Sequence, residues 1–238
     1  MKKGAIGVAM TLVLLPAIAN AIVIDFEGLD SSASQPVPLM SFTEDGFTFG
    51  LAFTGPNEGP AIFDTTCANF GDPGASAACN GDDDLLPIGG QPMAPDSAVD
   101  FNDGVAGNVL ILQETGSDVP DDQAPGGTIV FSSALSNPAF FLNSFWAIDD
   151  GLFTIMAGGE SASVNNGSGP SAENVEGQAV FSTPVLINPG ESFTLTFSGS
   201  GAIDNLSISE VPVPPAALLL LGALGGFAVI RRKRRGDA

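Results

Sequence analysis

Every cationic side chain of this chain sits at one of its two ends. Lys2 and Lys3 open it, and Arg231, Arg232, Lys233, Arg234 and Arg235 nearly close it. From Gly4 to Glu210 there is no Lys, Arg or His, while every one of the 27 carboxylates except Asp237 falls in that stretch, leaving it a formal charge of −26. A fold made from such a stretch can contain no side-chain ion pair. Apolar burial and hydrogen bonds must hold it together, and cations from solution must screen it. The same division assigns places: the cations belong to segments that meet membranes, and the carboxylates to a segment facing an ionic exterior.

The N-terminus has the three parts of a secretory signal. Lys2 and Lys3 form its positive region, Ala5 to Ile18 its apolar run, and Ala19-Asn20-Ala21 an A-x-A cleavage site, so residues 1–21 read as a signal peptide. The run is shorter than the ~20 residues a membrane span needs. At the other end, the 15 residues from Ala216 to Ile230 are all Ala, Leu, Gly, Phe, Val or Ile, and the basic cluster follows at once. As a helix they span roughly 22 Å, so Val211 to Pro215 must contribute if the segment is to cross a ~30 Å hydrocarbon core. Positive charge stays on the cytoplasmic side, which would leave the domain outside. Pro212, Pro214 and Pro215 end the last strand and suit an extended linker.

Val211-Pro212-Val213-Pro214, the short Leu/Ala/Gly helix and the terminal Arg/Lys cluster together resemble the PEP-CTERM sorting signal of Gram-negative bacteria. The resemblance covers residues 211–238 and rests on three parts in fixed order. It departs from the family's V-P-E-P at Val213, where Glu is expected. The resemblance implies an exosortase as membrane partner, a transient inner-membrane anchor, and a place in the envelope or extracellular matrix of a bacterium that makes exopolysaccharide.

Between the ends, residues 22–210 are long enough for one domain with a sizeable core. Nucleic acid is excluded as its partner, because nothing in it neutralises phosphate. Without His, Lys or Tyr it has no Ser-His, Cys-His, Ser-Lys or Schiff-base chemistry, so the expectation is a protein that is not an enzyme. Paired carboxylates, as in glycosidases, stay formally open, although among so many acids some pair always looks suggestive. Cys67 and Cys79 are the only two cysteines, and in an exported domain they read as a disulfide. Closing that loop would remove on the order of 3 kcal/mol of unfolded-chain entropy.

The periodicity is that of strands. Phe47, Phe49, Leu51 and Phe53 alternate with Thr48, Gly50, Ala52 and Thr54, and Phe193, Leu195 and Phe197 alternate with Thr194, Thr196 and Ser198. Further runs are Ile22–Phe26, Ala98–Phe101, Asn108–Gln113, Thr128–Ser132, Phe140–Ile148, Phe153–Ala157, Ala179–Ser182 and Ala202–Ser209, punctuated by Gly, Pro, Asp and Asn. About ten short strands in one domain predict an all-β antiparallel sandwich, jelly-roll-like in kind.

The domain also resembles a loose group of exported bacterial β-sandwich proteins with such tails. The pieces are Ile24-Asp25-Phe26-Glu27-Gly28, Gly81-Asp82-Asp83-Asp84-Leu85, Gly107 to Glu114, Asp121-Asp122 with Gly126-Gly127-Thr128-Ile129, and Ile203-Asp204-Asn205-Leu206. Jelly-roll domains related to carbohydrate-binding modules hold a calcium ion near the meeting of first and last strands, and that likeness makes Glu27 and Asp204 candidate ligands. Oxygen-only donors select hard cations. Asp82, Asp83 and Asp84, with Asp121 and Asp122, are weaker candidates, since adjacent carboxylates need a counter-ion, and solvated loops are the plain alternative. One Trp and no Tyr leave few platforms for stacking sugars, and Trp146, following Phe145, reads first as a core residue. The expected function is a non-catalytic surface or matrix protein associated with exopolysaccharide. The alternative is a calcium-dependent carbohydrate-binding module.

Overall fold

The computed structural model describes residues 21–29, 38–65, 107–114, 125–149, 151–167 and 176–211. The chain divides into two compact units: Ala21–Glu210, and Met1–Asn20 with Val211–Ala238. Apart from Val211, the second unit lies outside the described residues, and so do Cys67, Cys79, Asp82 to Asp84, Asp121, Asp122 and the run Ala98–Phe101. Among the described residues no helix is long and apolar enough to cross a membrane.

Twelve strands are described: β1 (Ala21–Ile24), β2 (Ser41–Glu44), β3 (Phe47–Thr54), β4 (Asn57–Asp64), β5 (Asn108–Glu114), β6 (Gly127–Ser133), β7 (Phe140–Ile148), β8 (Leu152–Ala157), β9 (Glu160–Asn165), β10 (Glu176–Ile187), β11 (Ser192–Phe197) and β12 (Ala202–Glu210). They form two antiparallel sheets. One runs β10-β7-β12-β5-β4, with β1 also paired to β12; the other runs β2-β3-β6-β11-β8-β9. The described residues are thus all-β and build two sheets around a shared core, as the period-2 pattern predicts.

That core is made by alternation. Phe47, Phe49 and Leu51 from β3, Ile129 and Phe131 from β6, and Phe193, Leu195 and Phe197 from β11 point inward, against Phe140, Leu142, Phe145, Ile203, Leu206 and Ile208 of the facing sheet. Phe49 is its hub: its ring lies 5.4 to 6.5 Å from those of Phe42, Phe47, Phe131, Phe140 and Phe193. Edge-to-face geometry, with ring planes near perpendicular at three of these contacts, adds about 0.5–1.5 kcal/mol per pair beyond area burial. With no ion pairs to draw on, the fold rests on these rings.

Three strands escape the expected set, and each has a local reason. β2 is four residues with only Phe42 buried, joined to β3 through Asp45-Gly46 at φ 48° and 83°, the both-positive pattern of a two-residue hairpin. β9 buries only Ala162 and turns from β8 through Gly158-Gly159 at φ 56° and 88°. β4 carries Gly59-Pro60, a pair that argues against a strand, yet sits at the end of its sheet where a missing N–H costs little.

Candidate functional site

β12 is shared unequally along its length. One edge pairs with β7; the other pairs with β5 at Ala202 and Ile203 and then with β1 from Leu206 to Ser209. β1 and β5 therefore approach end to end beside β12, and the residues following β1 fill the junction. Phe26 turns the chain at φ 60°, and Leu29 N–H closes the turn on Phe26 O at 3.0 Å. Asn108, the first residue of β5, donates its amide to Phe26 O (3.3 Å) and Leu29 O (2.9 Å). In return its own N–H donates to Glu27 Oε1 at 2.8 Å. Gly107 is bare for a reason: a Cβ there would fall on the Glu27 carboxylate.

Asp204 lies on β12 opposite Trp146 of β7, one position beyond the Ile203–Ala147 pair that faces the core. It is 4 % exposed. Its Oδ1 accepts Asn205 N–H at 2.6 Å and its Oδ2 accepts the Asn205 side-chain amide at 3.0 Å. Asn205 stands at φ 50°, inside a local irregularity that puts β12 one residue out against β7 at Ser207 and back in step from Ile208. Asn tolerates that left-handed backbone better than most residues, and it binds the neighbouring carboxylate there.

The calcium expectation can be set against this geometry. Glu27 is tied to β5 and Asp204 to Asn205. Among the described residues no three His, Cys, Asp or Glu side chains gather into a group able to hold a metal. The two carboxylates, each already accepting backbone N–H, do not make an oxygen cage of the six to eight donors calcium takes. Among the described residues this junction offers the ion two carboxylates and no third, and no chemistry is derived through it.

Two acidic features were not singled out from sequence. Glu44, at the end of β2, accepts Phe26 N–H at 3.2 Å and is pushed up to about 8 by burial first, then by its hydrogen bond to Asp25 and by repulsion from Asp25 and Asp45. Asp25 in turn accepts Glu27 N–H at 3.2 Å. Asp149, 1 % exposed and at φ 73°, accepts Ser200 Oγ–H at 2.7 Å where the chain leaves β7. Beside it, Asn166 donates to the backbone oxygens of Ala147 and Asp149, both at 3.0 Å. A strand followed by Asp-Asp-Gly is the only sequence signal for this corner.

Trp146 points away from the main core. It is half-buried against a second apolar cluster of Ala61, Phe63, Val109, Ile111, Ile148 and Ala202 on the outer side of its sheet. The sole Trp thus packs rather than standing free as a platform. Comparison of the chain with protein-family models, with curated proteins and with solved structures finds no match.

Proposed function

We propose that this chain is an exported, non-catalytic cell-surface or matrix protein associated with exopolysaccharide and sorted through its C-terminal tail by an exosortase. The observation that carries the reading is the confinement of every cation to residues 2–3 and 231–235, around a domain of 26 carboxylates. Such a domain suits a cation-rich exterior, and its flanks suit a signal peptide and a tail held inside by positive charge. Strand order supports the finer architecture: β5-β12-β7-β10 facing β6-β11-β8-β9 is the succession of a jelly roll, with β2, β3 and β4 added at its margins and β1 paired to β12. The lack of His, Lys and Tyr between the two ends favours a non-catalytic role.

The ends are the place to test it. Mass spectrometry of native protein from the envelope and matrix fractions should find it beginning at Ile22 and lacking Arg231 to Arg235. Protein that keeps Met1 and the basic cluster, or stays in the cytoplasm, would overturn the reading.

A further inference from the structure

The outer face of the second sheet carries hydroxyls where this composition leads one to expect carboxylates. Register places Thr54, Thr128, Thr196, Thr154 and Ser163 side by side across β3, β6, β11, β8 and β9. The next row is Ala52, Val130, Thr194, Met156 and Ser161. These residues alternate with Phe53, Ile129, Leu195, Phe153 and Ala162, which pack into the core, so they face outward. All are exposed or half-buried. Hydroxyls meet across strands: Thr128 and Thr196 at 3.5 Å, Ser132 and Ser192 at 3.0 Å, Thr43 and Thr48 at 2.8 Å. The two carboxylates on strands of this sheet, Glu44 and Glu160, share register with core residues Phe47 and Ala157 at strand ends. No outward position of its six strands is ionisable.

We propose that this face is a docking surface for a neutral polysaccharide chain. The inference rests on the reading of the protein as a matrix component and names the chemistry of its partner. Charge decides the occupant. An anionic polymer, or a second copy of a domain carrying −26, would be repelled by the carboxylates at the margins; a neutral chain would not. Threonine offers a hydroxyl that both donates and accepts, beside a methyl group, which matches the hydroxyl edges and C–H faces of a sugar ring. At about 4.8 Å between strands, the row from Thr54 to Ser163 runs roughly 19 Å, room for several consecutive sugars. No exposed aromatic ring stands in either row. Binding therefore comes from many shallow contacts along a polymer, and a single sugar is held poorly.

Full-length protein in detergent, with a chelator present, is run through native gels cast with hydroxyethyl cellulose, galactomannan, dextran or alginate. Retardation is expected in at least one of the three neutral gels and not in alginate. The triple variant Thr128→Val, Thr154→Val, Thr196→Val keeps the β-branched shape and should weaken that retardation at least tenfold. Val23→Thr, an exposed change on the other sheet, should leave it unaltered. Migration unchanged in every neutral gel, or a triple variant retarded like the parent, overturns the proposal. So does sedimentation showing that the face instead joins two copies, with the triple variant monomeric. Failure of export with gel binding intact would sink the sorting assignment and leave this face standing.

Discussion

Glu27 accepts the backbone N–H of Asn108 at 2.8 Å, and Asn108 answers through its side chain to the carbonyls on either side of Glu27. This reciprocal bonding joins the end of β1 to the start of β5 across 81 residues of chain. Asn108→Ala removes both side-chain donors, taking that bond from the Leu29 carbonyl and leaving the Phe26 carbonyl only Leu29 N–H, in a mostly buried place. The expected loss is about 1–3 kcal/mol in urea unfolding. A loss within about 0.5 kcal/mol, the range of an ordinary surface change, would show that water replaces the amide.

Phe49 should be the most sensitive single position of the core. It is fully buried and touches five other rings. Phe49→Ala is expected to cost about 3–5 kcal/mol, because no ion pair stands in reserve and the cavity opens between the sheets. Phe49→Leu should retain more than half of that. Denaturant midpoints for the two variants check the order.

What could be read from the sequence followed the apolar alternation. β3, β7, β11 and β12 carry runs of Phe, Leu and Ile at period 2, and their bounds fall within a residue or two of those expected. β2 and β9 expose too little apolar pattern, with one buried hydrophobic residue apiece, and exist because glycine-containing turns fold them back onto partners. The site was less legible. Residues brought together at the β1–β5 junction are 79 to 82 positions apart, and no local pattern marks Glu44 as the neighbour of Asp25. Pairing of strands, a long-range property, creates that corner. The threonine rows were half visible: β3 and β11 showed their Thr alternation, but only the register aligns them with Thr128, Thr154 and Ser163.

Asn205 holds the left-handed backbone that shifts β12 against β7. Asn205→Val should cost about 1–2 kcal/mol, since a β-branched side chain crowds the following carbonyl at positive φ. Asn205→Gly keeps the backbone conformation accessible and its N–H on Asp204 Oδ1, and loses only the side-chain amide's bond to Asp204 Oδ2. Thermal melting should therefore rank parent and Gly variant above Val. Equal melting of the Gly and Val variants would mean that the Asp204 contact, not the backbone, dominates.

Stability should fall as pH rises through the range of Glu44. Its folded value of about 8 stands above the ordinary 4.5, so between the two the folded protein holds a proton that the unfolded chain has released. The contribution is complete below about 4.5 and fades on the way to 8. Asp25 and Asp45 are the charged neighbours named in the shift, and repulsion from both opposes ionisation of Glu44. Glu44→Gln keeps the shape without the titration. Melting temperature against pH should then decline less steeply in the variant across this window, and parallel curves would remove Glu44 as the cause.

Calcium and sodium can be separated by the same measurement. Any salt should raise the melting temperature, because screening relieves repulsion among 26 carboxylates in a stretch that has no cationic side chain. A bound ion adds a mass-action increment, about 2.7 kcal/mol at a hundredfold excess over its dissociation constant. Melting is compared in a chelator, in calcium chloride, and in sodium chloride of equal ionic strength. Since Glu27 and Asp204 are each engaged with backbone donors and no third acid joins them among the described residues, the double variant Glu27→Gln, Asp204→Asn should keep whatever increment calcium confers over sodium. If the increment vanishes in the double variant while the sodium effect persists, the two carboxylates hold the ion after all. In that case the junction between β1, β5 and β12 is a calcium site that reorganises when the metal arrives.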